Sequence, residues 1–118
     1  MKLPLQVVFH GMSASPTLEA HAREKAAKLE RFSADIISCR IDIDEAHKHQ
    51  QQGRPFGVRI HLTLPGEELT VDRVENEDAY VALRDAFDSM RRQVEDKVRR
   101  LRDLSKQRTD PETGEGPG

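Results

Sequence analysis

Apolar positions repeat every second residue in some stretches and at helical spacing in others, and the switches divide the chain into elements. Residues 3–10 (LPLQVVFH) alternate, with Leu3, Leu5, Val7 and Phe9 on one face and Gln6, Val8 and His10 on the other. Gly11 to Pro16 breaks that pattern. Ser15 suits a helix N-cap, and Pro16 suits the first helical position, where a missing N–H costs nothing. A helix over 16–32 follows, with Leu18, Ala22, Ala26, Leu29 and Phe32 on one stripe. Residues 36–46 alternate again: Ile37, Cys39, Ile41 and Ile43 face inward, and Ser38, Arg40, Asp42 and Asp44 face out. A polar loop covers 47–55. Residues 56–64 form a third strand, with Phe56, Val58, Ile60, Leu62 and Leu64 in phase. Pro65-Gly66 marks a turn, so 67–74 folds back as a hairpin with Leu69 and Val71 inward. Asn76-Glu77-Asp78 supplies capping oxygens for a helix over 79–104, or slightly further. Its stripe reads Tyr80, Leu83, Phe87, Met90, Val94, Val98 and Leu101. At 1.5 Å per residue that helix is about 39 Å long, more than a four-stranded sheet needs, so its last turns should project.

The order β-α-β-β-β-α with amphipathic strands predicts an α+β domain over 1–104. One four-stranded sheet carries both helices on its apolar face. The first crossover should be parallel and right-handed, and the rest an antiparallel meander. Residues 105–118 read as a disordered acidic tail, since 109–118 (TDPETGEGPG) is Pro, Gly and acid.

Composition narrows the function classes. The chain has 118 residues, 34% of them charged, and one cysteine, which cannot form an internal disulfide. No run reaches the ~20 apolar residues of a membrane span and no signal peptide opens the chain, so a cytoplasmic protein is expected. The net charge of −2 argues against a uniformly basic nucleic-acid binder. The charge is segregated, however. Residues 67–78 hold six acids and one base, whereas 79–108 hold nine bases and five acids. An ordinary solvated helix would show the same counts.

Catalytic patterns are sparse, and no glycine-rich phosphate loop is present. Cys39 falls on an inward strand face and reads as a core residue. Asp42, Asp44, His47 and His49 have ligand chemistry for a transition metal, but a solvated hairpin loop explains them better. His10 and His61 fall on the outward face and read as surface histidines, able to meet only if their strands are neighbours. On the second helix Arg84, Arg91 and Arg102 flank the apolar stripe, Arg92 and Arg99 lie further round, and Lys97 and Arg100 lie opposite. With Lys25 and Lys28 on the first helix, they predict a basic ridge along a groove. Arginine forks suit phosphate. The outward sheet face has no aromatic residue, so binding should read RNA backbone and shape rather than bases.

Two motifs resemble those of the ribosome hibernation-promoting factor and ribosome-associated inhibitor family, also called sigma-54 modulation proteins. Lys25-Ala-Ala-Lys28-Leu29-Glu30-Arg31-Phe32 is similar to its basic-x-x-Lys-Leu-Glu-basic-aromatic segment. Glu77-Asp78-Ala79-Tyr80-Val81-Ala82-Leu83 and Met90-Arg91-Arg92-Gln93-Val94 are similar to its Glu-Asp-x-Tyr-x-Ala-Ile and Leu-x-Arg-Gln-Leu segments. The resemblance spans about residues 3–104. It implies a double-stranded-RNA-binding-domain-like fold. It also implies binding to the small ribosomal subunit, in the mRNA and tRNA channel, during stress or stationary phase. Carried over by position, the rRNA contacts are Lys25, Lys28, Arg31 and Arg92; the helical wheel adds Arg91 and Arg99. Ser89 stands where the family has Lys, and Asp96 and Val98 fill further basic positions, for which Lys97, Arg99 and Arg100 would compensate. The chain reads as a short form without the C-terminal dimerisation domain of long members. No enzyme activity, cofactor, bound metal or small-molecule substrate is expected. The competing readings are a general module for structured RNA or a protein partner, and a small metal-binding protein.

Overall fold

The computed structural model describes residues 4–45 and 55–109, without the side chains of 105–109. The chain runs β1 (Leu5–His10), α1 (Pro16–Glu30), β2 (Ser38–Glu45), β3 (Phe56–Leu64), β4 (Glu67–Asn76) and α2 (Ala79–Thr109). The strands form one sheet in the order β1-β2-β3-β4. β1 pairs parallel with β2, and the other two pairs are antiparallel.

Local chemistry sets the element ends. The Ser15 hydroxyl accepts the Leu18 N–H at 3.2 Å, and Pro16 opens α1. The Asp78 carboxylate accepts the Tyr80 N–H at 2.9 Å at the start of α2. Pro65 and Gly66 connect Leu64 to Glu67, and Gly66 has φ +75°, which a side chain would resist. α1 stops at Glu30, before Phe32. The Arg31 and Phe32 N–H groups donate to the carbonyls of Lys28 and Leu29 at 3.1 and 3.0 Å, tightening the last turn.

Alternation buries Cys39, Ile41 and Ile43 of β2 against Val58, Ile60 and Leu62 of β3. Leu83, Phe87, Met90 and Val94 of α2 and Leu29 of α1 close over them. Each such side chain withdrawn from water contributes roughly 1.5–3 kcal/mol. Fully buried alanines on both helices, Ala22, Ala26, Ala82 and Ala86, leave little bulk where they pack. Burial pushes the Cys39 thiol up to about 12, which leaves it an inert core residue.

Several expectations shift. Ile36 is buried and Ile37 exposed, because the alternation begins at Ser38 rather than at residue 36. Val98 and Leu101 lie on the helical stripe but are exposed, because burial on α2 stops at Val94; Tyr80, also on the stripe, is exposed beside buried Ala79 at the start of the helix. Tyr80 instead meets His21 edge-on, ring centroids 4.7 Å apart. β4 runs on to Asn76 through a bulge: Val58 faces Val74 while Ile60 faces Val71, so β4 has one residue more than β3 there. α2 continues to Thr109, into the stretch expected to be a tail. The remainder of that stretch, 110–118, lies outside the described residues. His10 and His61 are both exposed, and β2 separates their strands.

Candidate nucleic-acid interface

α1 and α2 pack against each other on the inner side of the sheet. Between them lies an open cleft of about 340 Å³. Lys25, Lys28 and Arg31 line it from the α1 side, and Asp88 and Arg91 from α2. Leu29, Phe32 and Phe87 give it an apolar lining. The spacing of three between Lys25 and Lys28 puts both on one flank of α1. Lys28, in the last turn, also sits where the helix dipole favours a cation.

The four cations of this cleft make no ion pair with any described residue. Their charge is therefore available to an outside anion, with Asp88 the one carboxylate among the lining residues. Two other bases on α2 are engaged by carboxylates of the chain. Lys97 Nζ bonds Glu67 Oε1 at 2.8 Å, and its side chain is only 17% exposed. That hydrogen bond holds the Glu67 carboxyl below its usual range. Arg99 bonds Asp96 at 2.9 Å, with both side chains exposed.

Of the six residues singled out from the sequence, four come together: Lys25, Lys28, Arg31 and Arg91. Arg92 and Arg99 are exposed on α2 but do not line the cleft. The flank of α2 that carries Lys97, the neighbour of Asp96 and Val98, is turned to β4, where Gln93 Nε2 also donates to the Thr70 carbonyl at 3.0 Å. Phe32 and Phe87 read as core residues from their spacing alone. Phe32 is 41% exposed, since it lies beyond the end of α1 at the rim of the cleft.

The two strand carboxylates with metal-ligand chemistry, Asp42 and Asp44, are engaged by cations of the chain. Asp42 accepts from His10 and Arg40, and Asp44 from Arg73. Partial burial pushes the Asp42 carboxyl up, but the hydrogen bonds from Arg40 and His10 outweigh it and hold the group below its usual range. Arg73 reaches Asp44 across Gly57, where a β-carbon would overlap the guanidinium. His47 and His49 lie outside the described residues. Among the described residues no group of three or more potential ligands is found, and no helix is long and apolar enough to cross a membrane.

The family model for sigma 54 modulation protein / S30EA ribosomal protein matches residues 5–102. The chain belongs to this family. The match includes both helices of the cleft and both sequence motifs. Two solved structures share the fold of this S30EA family chain. One is the N-terminal domain of Protein Y from Thermus thermophilus, at 18% identity and TM-score 0.61, covering 79% of this chain and 96% of that one. The other is a ribosomal subunit interface protein from Coxiella burnetii, at 19% identity and TM-score 0.66, covering 80% and 97%. No curated protein matches the chain.

Proposed function

We propose that this S30EA family protein is a non-enzymatic cytoplasmic factor that binds the small ribosomal subunit. It occupies the channel of mRNA and tRNA and keeps ribosomes idle under stress or in stationary phase. One observation carries the reading: the cleft gathers four unpaired cations, Lys25, Lys28, Arg31 and Arg91, between two helices of a chain in a ribosomal protein family. Lysine and arginine without internal partners gain most from phosphate, through charge-assisted hydrogen bonds and release of counterions. Arg92 extends the same basic surface.

The test is co-sedimentation with vacant small subunits at low and raised salt. Binding that weakens steeply with salt is expected. The triple variant Lys25→Glu, Lys28→Glu and Arg91→Glu should lose it, with a thermal melt close to that of the parent. Failure to associate at low salt would overturn the reading. Equal affinity for plain duplex RNA and for ribosomes would replace it with a general RNA-binding module.

A further inference from the structure

The opposite side of the sheet carries no helix, and strand register sets its side chains in rows. Gln6, Arg40 and His61 stand abreast across β1, β2 and β3, with Val8, Asp42 and Arg59 in the next row. Around them lies a shallow hollow of about 570 Å³, lined also by Ser38 and Thr63. Asp42 is the one carboxylate lining it. Its Oδ1 accepts from His10 Nε2 at 2.9 Å and from Arg40 Nη2 at 3.0 Å, and its Oδ2 from Arg40 Nε at 3.2 Å. Arg59 faces Asp42 directly in register but makes no ion pair or hydrogen bond among the described residues. His61 is likewise exposed and unpaired among them.

The hollow thus offers more donors than acceptors, with the exposed guanidinium-bearing Arg59 among its lining residues. It fits a phosphate better than a base, since no Phe, Tyr or Trp stands on this face among the described residues. It also fits RNA better than protein. Protein interfaces depend on large apolar or aromatic anchors, and the apolar residues lining the hollow are only Pro4 and Cys39, with the half-buried Val8 beside it. Glu68 and Asp72, exposed on β4, repel phosphate along the neighbouring edge and confine it to β2 and β3.

We propose that the outer sheet face around Arg59 and His61 is a second RNA-contact surface that takes backbone phosphates of ribosomal RNA. This rests on the small-subunit reading above: a factor seated in an RNA-walled channel meets RNA on two sides, and the helix cleft serves only one.

The test is the salt dependence of small-subunit binding, over about 50–200 mM, for the parent and for Arg59→Gln and Arg59→Glu. Arg59 is exposed and supports no core contact, and a circular dichroism melt checks that the variants fold. Each lost phosphate contact removes about 0.7–0.9 from the log–log salt slope, and so about fivefold to eightfold in affinity near 0.1 M salt. Arg59→Gln should show both changes, and Arg59→Glu a larger loss. If the parent binds and Arg59→Gln binds equally well, this face is not an RNA contact, while the small-subunit reading stands. Weaker binding with an unchanged slope would assign the face to a ribosomal protein and overturn the proposal. No binding by the parent would remove the reading and the proposal together.

Discussion

Asp42 shows how much one residue's role depends on its neighbours. In the sequence it belongs to a run of carboxylates and histidines with metal-ligand chemistry. In the fold it is the shared acceptor of Arg40 and His10. Its carboxyl is held below its ordinary range, so it stabilises the folded state above the unfolded-chain pKa, and the contribution is lost as pH falls through the lower folded-state value. A side-chain NMR titration should place the Asp42 midpoint below the ordinary aspartate range in the parent and higher in Arg40→Gln. An unchanged midpoint in the variant would mean that Arg40 does not hold the carboxylate. Lys97 illustrates the same dependence. Its sequence neighbourhood marks it as an RNA contact, but Glu67, thirty positions away, claims it. No local pattern encodes such a partner.

At the scale of elements, the period of the apolar residues located every strand and both helices, because burial of one face is what produces the period. Caps were equally legible, since a short oxygen-bearing side chain before a helical stripe has one good use there. Ser15→Ala should therefore cost about 1 kcal/mol in urea unfolding and Ser15→Gly only a few tenths. Equal losses in the two variants would mean that the hydroxyl does not act as the cap. The ends of the stripes were less legible. Val98 and Leu101 keep the helical period, but α2 outruns the sheet, and periodicity does not report where a packing partner stops. The bulge in β4 was invisible for a related reason: it depends on β3, not on β4's own alternation.

Across the whole molecule, stability and binding occupy different residues. The core is the inner sheet face and the helix stripes, whereas the free cations lie along the cleft rim and on the outer sheet face. Leu83→Ala should lower unfolding free energy by about 2–5 kcal/mol. At temperatures where that variant remains folded, its affinity for small subunits should match the parent's. A loss of binding by fully folded Leu83→Ala would show that core and interface are coupled. The sequence by itself determined the element order, the buried face of each strand and helix, the family motifs and the segregation of charge. These follow from local spacing, and local spacing is what a linear chain displays. Only the tertiary structure decided which cations are free. It gathered Lys25, Lys28, Arg31 and Arg91 from segments far apart in sequence, gave Lys97 and Arg40 to carboxylates on β4 and β2, and left Arg59 without an ion pair among the described residues. Whether a charge is available to a partner depends on what lies within a few ångströms of it, and folding alone sets that distance.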